Sequence, residues 1–160
     1  MTCRTNLTAS AMLLSLLVTG GAGFIGSNFI RHQLARHDSL SIINLDVLTY
    51  AGTLANLEDI FRDYGSGRYS FVEGDICDTR LVSGLLNDRD IDTIVNFAAE
   101  SHVDRSITGP AAFIRTNIEG TFNLLDCSCR IWNDRTDVRF HHISTDEVFG
   151  SLGETGHFTE

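Results

Sequence analysis

A glycine-rich turn near the start of the chain constrains the fold more than any other feature. Seven residues, Gly20-Gly21-Ala22-Gly23-Phe24-Ile25-Gly26, follow an apolar run at 13–18 and precede a stretch with helical spacing. Gly20 permits a tight turn, Gly23 lets a ligand come close to the backbone, and Gly26 lets the helix lie close to the strand. The sequence therefore predicts a strand, a tight turn and a helix in direct succession.

An acidic residue follows the predicted strand, turn and helix, at the end of the next apolar run. Asp46 lies twenty residues after Gly26, at the end of a second apolar run at 42–45. A strand, a glycine turn, a helix, a strand and an acid in that order form the arrangement that binds dinucleotides. The helix N-terminus presents unpaired N–H groups to phosphates, and the acid accepts hydrogen bonds from the adenosine ribose. The alternative is a turn that only permits packing, and the strand and Asp46 favour binding.

Composition narrows the class of partner. The 160 residues carry 12 Lys and Arg against 21 Asp and Glu, a formal net charge of −9. Nucleic acids and anionic membranes need a basic surface, so neither is an expected partner. No apolar run approaches the roughly 18 residues of a membrane span. The four cysteines form neither a disulfide nor a zinc pattern, so we expect no metal site and a cytoplasmic location.

The alternation of apolar runs and helical stretches predicts an α/β fold. Strands are expected at 13–19, 41–46, 69–74, 92–97 and 138–143, and helices at 24–36, 53–63, 78–88 and 110–131. This pattern predicts a Rossmann-like, doubly wound parallel sheet in the order 3-2-1-4-5, with ligands at the carboxyl ends of the strands. Residues 1–11 are expected to be a disordered extension, because the apolar run is better used as a buried strand than as a signal peptide. Residues 12–160 then form the domain.

The fourth predicted helix is apolar on two sides. Phe113, Gly120 and Leu124 share one face, while a second face carries Ile114, Ile118, Phe122 and Leu125. One face can pack on the sheet. The other is covered either by further chain or by a second subunit, unless the helix has one broad buried face.

Polar residues follow three of the later strands. Asp75 could accept from an adenine amino group, and small Ala98 and Ala99 would let a dinucleotide lie against the backbone. Thr145-Asp146-Glu147 puts two adjacent carboxylates beside a hydroxyl at the end of the fifth strand, which could supply an acid and a base. The residue types alone favour a solvated turn with a helix cap over this catalytic interpretation.

Several of these segments together resemble the dTDP-glucose 4,6-dehydratases, which are extended short-chain dehydrogenase/reductases. The similarity extends over roughly residues 12–160. It rests on the glycine turn and on four further segments, which are Asp46 to Gly52, Gly74 to Asp78, Ala98 to Ile107 and Ser144 to Gly150. The Ala-Ala-Glu-Ser-His-Val-Asp-Arg-Ser and Ser-Thr-Asp-Glu-Val runs are the most specific of these. The resemblance reverses the preference for a plain turn at 145–147.

The resemblance implies a reaction and roles for three residues. Such an enzyme uses tightly held NAD to oxidise a nucleotide sugar at C4, eliminates water across C5 and C6, and returns the hydride to C6. Asp146 would protonate the departing C6 hydroxyl, Glu147 would take the C5 proton, and Thr145 would hydrogen-bond the sugar near O4. A homodimer is implied for the full-length protein.

The resemblance also implies the cofactor site. With Ser101 at the junction of cofactor and substrate, the matching positions are Gly20, Gly23, Phe24, Ile25, Gly26, Asp46, Leu48, Thr49, Asp75, Ile76, Phe97, Ala98, Ala99 and Thr116. Val47 stands where the family usually has lysine. With Asp46 present and no cation beside it, a 2′-phosphate would be repelled, so NAD is expected to be preferred over NADP.

The largest departure lies after Glu147, where no Tyr-x-x-x-Lys follows within the sequence. In the family that tyrosine takes the C4 hydroxyl proton. We therefore interpret the chain as an N-terminal fragment that lacks the later strands and the substrate domain. Alone, it is expected to hold NAD weakly, if at all, and to be inactive. Two alternatives are another nucleotide-sugar epimerase or decarboxylase and a non-catalytic NAD-binding module. Asp146-Glu147 argues against the first, and the missing pair favours the second for the isolated chain.

Overall fold

Five parallel strands form the centre of the structure. The computed structural model describes residues 14–65, 67–150, 153 and 155–157, so the expectation for residues 1–11 lies outside the described residues. The sheet order is β3-β2-β1-β4-β5. The strands are β1 (Ser15–Thr19), β2 (Ser41–Asp46), β3 (Tyr69–Glu73), β4 (Thr93–Asn96) and β5 (Arg139–His142). The predicted fold class and strand order are confirmed.

Helices connect the strands on both faces of the sheet. The first half of the chain contributes α1 (Phe24–Arg36), a 3-10 turn (Leu54–Leu57), α2 (Glu58–Tyr64) and α3 (Thr79–Asp88). The second half contributes α4 (Val103–Thr108), α5 (Pro110–Phe113), a π-helix (Ile114–Gly120), α6 (Thr121–Trp132) and a 3-10 turn (Asp146–Phe149). Among the helices of the described residues, none has both the length and the apolar character needed to cross a bilayer.

The helix predicted at 110–131 forms as one continuous helical stretch from Pro110 to Trp132, but its winding changes along its length. Pro110 does begin the helix, as expected of a residue without an N–H. Seven residues then widen into the π-helix before α6 continues. A side chain at Gly120 would lie 2.5 Å from Cδ1 of Ile76, so the helix approaches the segment after β3 very closely here. Helix α4 was not predicted at all.

Alternate residues of β1 face two separate cores. Leu16 and Val18 pack with Ile30 and Leu34 of α1 on one side of the sheet. Leu17 packs with Leu124 of α6 and its neighbours on the other side. Both faces of β1 are therefore covered, which explains why its sequence is continuously apolar.

Two apolar surfaces stay open in the described part of the chain. The first is the second face of the fourth predicted helix. Its exposed fractions are 50% for Ile114, 59% for Ile118, 67% for Phe122 and 41% for Leu125, while Leu124 on the other face is fully buried. The prediction of two distinct apolar faces is confirmed, and the single broad buried face is not what forms. The second is a groove of about 690 Å³ between α1 and the strands β4 and β5.

Candidate functional site

The glycine turn sits at the carboxyl end of the central strand. Gly20 has φ +70°, a left-handed conformation that glycine adopts without strain. A side chain there would also come within 2.6 Å of the backbone nitrogen of Ala98. One on Gly26 would overlap the carbonyl oxygen of Gly20, whereas one on Gly23 would meet that oxygen at 3.3 Å and the Ala51 carbonyl oxygen at an ordinary contact distance of 3.8 Å. Gly20 and Gly26 are thus required by packing, and Gly23 leaves room at the surface.

The start of α1 is open to a ligand. Gly23 caps the helix without any side-chain hydrogen bond to its first amides. Phe24 is 81% exposed and Ile25 is 64% exposed. Unpaired amides and the positive end of the helix dipole at an accessible helix start favour an anion.

Asp46 holds the turn as well as marking the end of β2. Its side chain accepts a hydrogen bond from the N–H of Ala22 at 2.9 Å and from the N–H of Leu48 at 2.8 Å. The residue is only 8% exposed. Each carboxylate oxygen has a further lone pair, so an additional donor such as a ribose hydroxyl can still bind. Sequence reasoning predicted a ligand contact here and missed this structural role.

Asp75 is engaged by two neighbours after β3. Its carboxylate accepts from the N–H of Cys77 at 2.9 Å and from Arg115 at 3.0 Å. Burial raises the pKa of Asp75, but these hydrogen bonds and the Arg115 charge outweigh it and leave the pKa below its usual value. Asp75 is therefore ionised at neutral pH and acts as an acceptor. The adjacent Ile76 is 4% exposed, so its side chain packs in the core.

An asparagine organises the end of β4. The Asn96 oxygen accepts from the Thr19 hydroxyl at 2.5 Å and from the N–H of Ala98 at 3.2 Å. These bonds fix the β4 loop against β1, which explains the close approach of Ala98 to Gly20. Further along, the Asn117 side chain makes two hydrogen bonds to the backbone of Glu100. The position of Asn96 at the end of an apolar run was a sequence signal for its role in fixing the β4 loop, and sequence reasoning did not use it.

The remaining predicted cofactor residues lie around these loops. Leu48, with φ +54°, begins the loop after β2. Leu48, Phe97, Ala98 and Thr116 are half-buried, whereas Thr49, Ala99 and Ser101 are exposed. Phe97 packs against Phe29 of α1, with ring centroids 5.2 Å apart. In the described part of the chain, His, Cys, Asp and Glu side chains form no group of three that could hold a metal ion.

The carboxylate pair after β5 forms a short exposed turn. Asp146 and Glu147 begin the final 3-10 turn, and the hydroxyl of Thr145 accepts from the N–H of Glu147 at 3.3 Å. The same hydroxyl donates to Asp146 at 3.3 Å. All three residues are exposed, so they are accessible to a substrate at this edge of the sheet. The capping turn and a catalytic role are compatible, because the cap uses Thr145 and the N–H of Glu147 and leaves the Glu147 carboxylate free of the cap.

An aromatic contact that sequence reasoning missed joins two loops. The guanidinium of Arg105 in α4 lies 3.9 Å from the ring centroid of Tyr50, in the loop after β2. His102 meets the same ring edge-on, with centroids 6.5 Å apart. The only available signal was that both loops follow strands flanking β1.

One known protein family matches this chain over nearly its whole length. The family model described as GDP-mannose 4,6 dehydratase matches residues 17–160, nearly the whole chain. This chain belongs to that family. The predicted resemblance to dTDP-glucose 4,6-dehydratases is confirmed by relatives and solved structures of that name within it.

Three of these relatives show how far the similarity extends. A dTDP-glucose 4,6-dehydratase of Xanthomonas campestris is 53% identical over 152 residues, which are 90% of this chain and 41% of that protein. The Streptomyces venezuelae enzyme DesIV, solved with NAD and TYD bound, superposes with a TM-score of 0.77 at 47% identity, covering 91% of this chain and 43% of that one. The dTDP-glucose 4,6-dehydratase of Bacillus anthracis, solved in complex with NAD, superposes with a TM-score of 0.75 at 43% identity. The match covers 92% of this chain and 42% of that one. The chain therefore spans well under half the length of these relatives.

Proposed function

We propose that this chain is the NAD-binding part of a dTDP-glucose 4,6-dehydratase. The observation that carries the proposal is one sheet edge that holds both the glycine turn with Asp46 and the Thr145-Asp146-Glu147 turn. Parallel strands bring their carboxyl ends to the same edge, so a cofactor on the glycine turn and an acid–base pair after β5 can serve one substrate. The named relatives support the choice of reaction.

The cradle fits NAD. Its diphosphate would lie at the start of α1, where side chains at Gly20 and Gly26 would collide with backbone and Gly23 leaves space. Asp46 would receive the adenosine ribose, and Asp75 the adenine amino group. Val47 places no cation beside Asp46, so we propose that NAD is preferred over NADP. The other contacts proposed are those of Phe24, Ile25, Leu48, Thr49, Ile76, Phe97, Ala98, Ala99, Ser101 and Thr116.

Asp146 and Glu147, after β5, would perform the proton transfers of the elimination. When bound, NAD would supply the hydride chemistry, accepting a hydride from C4 and returning it at C6. The C4 hydroxyl proton would go to the tyrosine of the family's Tyr-x-x-x-Lys pair, which is not in this sequence, and Glu147 would return a proton to C5. Oxidation at C4 makes the C5 proton acidic, so the Glu147 carboxylate suffices as the base. Asp146, in its protonated form, would donate to the departing C6 hydroxyl so that water leaves. Thr145 would orient the sugar near O4, and Ser101 would lie between cofactor and sugar.

A chimera tests the reaction. The chain would replace the matching segment of the Xanthomonas campestris relative, and loss of water from dTDP-glucose would be followed by mass spectrometry. We expect dehydration in the chimera and a loss of at least about 100-fold with Glu147→Gln. Asp146→Asn should still exchange the C5 proton with deuterated solvent while losing elimination, because base and acid act in separate steps.

Asp38→Asn is the matched control, since Asp38 is exposed in the loop between α1 and β2. It should leave the rate unchanged. Epimerisation at C4 without loss of water would support the epimerase alternative. Binding of NAD with no reaction in the chimera would support the non-catalytic module.

We also propose that the full-length protein is a homodimer joined through the exposed face of the π-helix and α6. Ile114, Ile118, Phe122 and Leu125 form a continuous apolar stripe on adjacent turns. A stripe of this kind can pack against its own copy about a two-fold axis. The Phe122→Asp chimera should sediment as a monomer, and Val148→Asp, at 66% exposure off the stripe, should not change the dimer. A dimer that survives Phe122→Asp would contradict this interface.

We propose a cytoplasmic location. Cys77, Cys127 and Cys129 are all free thiols in the structure. Cys127 is buried and lies 3.3 Å from the Ser83 hydroxyl, so it acts as a packing group. Thiols used in this way are typical of a reducing compartment.

A further inference from the structure

The guanidinium of Arg105 is exposed and positioned by an aromatic ring. It lies 3.9 Å from the ring centroid of Tyr50, which also makes a T-shaped contact with the ring of His102. Among the described residues, no carboxylate lies within 4.0 Å of Arg105, whereas five other arginines do have one, namely Arg31, Arg62, Arg115, Arg130 and Arg135. A guanidinium on an aromatic face keeps its N–H groups available at its edge. Arg105 is therefore a positioned cation, and none of the described carboxylates neutralises its charge.

The contact crosses the end of the central strand. Strands β2 and β4 pair with β1 on opposite sides. Tyr50 belongs to the loop after β2, and Arg105 belongs to the helix after β4. A contact between them therefore joins the two segments that follow the neighbours of β1, at the edge of the sheet where the glycine turn begins.

The loop that carries Tyr50 also packs on the glycine turn itself. The carbonyl of Ala22 accepts from the N–H of Thr53 at 3.2 Å and from the Asn56 side chain at 2.9 Å. A side chain placed on Gly23 would lie 3.8 Å from the carbonyl oxygen of Ala51, the neighbour of Tyr50. The Tyr50–Arg105 bridge is thus anchored beside the start of α1.

The glycine turn lacks a cation of its own. No Lys or Arg occurs from Gly20 to Asn28. Arg31, the first cation of α1, is bound to Asp59 at 2.5 Å. A diphosphate at this turn would meet backbone amides and, from the neighbouring loops, the free charge of Arg105.

We propose that Arg105, held by the ring of Tyr50, binds the diphosphate of the dinucleotide as a second contact beside the start of α1. This inference rests on the proposed function, because it assumes that a dinucleotide occupies the glycine turn. It adds a diphosphate-binding residue and a positioning residue. Neither was among the cofactor positions inferred from the sequence.

Binding of three ligands distinguishes a contact between Arg105 and the diphosphate from a purely structural role of Arg105. NAD and ADP-ribose carry the diphosphate, and adenosine does not. We expect Arg105→Gln to weaken binding of NAD and ADP-ribose by about tenfold, the usual size of a charge-assisted hydrogen bond, and to leave adenosine unchanged. The dependence of NAD affinity on ionic strength should also become shallower. Calorimetry on the chimera with the Xanthomonas campestris relative gives the first two affinities, and saturation-transfer NMR gives the third.

Matched variants complete the test. Arg36→Gln removes an exposed arginine at the far end of α1 and should change no affinity. Tyr50→Phe keeps the ring and should bind like the unchanged chimera, whereas Tyr50→Leu should lose part of the NAD affinity. Equal weakening of all three ligands by Arg105→Gln, or no weakening of NAD, would overturn the inference while the proposed function stands. Failure of the unchanged chimera to bind NAD and ADP-ribose would overturn both.

Discussion

Replacement of Gly26 by alanine is expected to destabilise the chain by about 3 kcal/mol and to abolish NAD binding. The added methyl group would overlap the carbonyl oxygen of Gly20 and lie 2.7 Å from the Cα of Gly21. Both obstacles are backbone atoms of the turn, so no side-chain rotation relieves the clash. Helix α1 must then move away from β1 and take its open N-terminus with it. Urea unfolding gives the change in stability, and calorimetry gives the change in affinity.

Gly84→Ala is the control for this prediction. Gly84 lies inside α3, and a side chain there would meet no atom within 4 Å. Alanine in a helix is favoured over glycine, so this variant should gain about 0.5–1 kcal/mol and bind NAD unchanged. A Gly26→Ala chain as stable as the Gly84→Ala chain would contradict the close packing described at the turn.

Asp46→Asn is expected to cost about 3 kcal/mol although it preserves the size of the side chain. The carboxylate accepts from two backbone amides, those of Ala22 and Leu48, at a site that is 8% exposed. An asparagine has one oxygen, so its NH2 group must face one of these N–H groups and leave it unpaired. Leu48 is also held at a positive φ by this bond, so the loop after β2 should loosen.

The measurement is the urea midpoint together with amide exchange. At least one of the N–H groups of Ala22 and Leu48 should lose protection in Asp46→Asn. Asp38→Asn, which changes an exposed residue in the same half of the chain, should alter stability by less than about 0.5 kcal/mol. Retained protection at both amides would show that Asp46 does not hold the turn.

The sheet was predictable because its strands are short apolar runs with both faces buried. The observed bounds of β2, Ser41–Asp46, are those expected, and β1 begins two residues later than the expected 13. The strand order was predictable from the connections between strands, because right-handed crossovers and a glycine turn after β1 leave few possible arrangements of the sheet. The same logic put Asp75, Ala98 and Asp146 at one edge.

Features that depend on loop conformation were not predictable. The π-helix at 114–120 ends at Gly120, which packs closely against Ile76, a residue far from it in the sequence. The Tyr50–Arg105 contact depends on where two loops meet above β1, and hydrophobic periodicity carries no information on that. Helix α4 has no buried residue, so it lacks the apolar pattern by which helices are recognised.

The structural role of Asp46, together with the ribose contact proposed for it, restricts how this fold could exchange one cofactor for another. Acceptance of a 2′-phosphate requires that the negative charge at the end of β2 be removed. The same carboxylate is the acceptor for the amides of Ala22 and Leu48, so its loss weakens the turn before any new affinity appears. A change of cofactor preference therefore has an obligatory order: a new acceptor for those amides must come first, and only then can the acid be replaced. Along any evolutionary or engineered path, Asp46 is therefore the last of these residues to change.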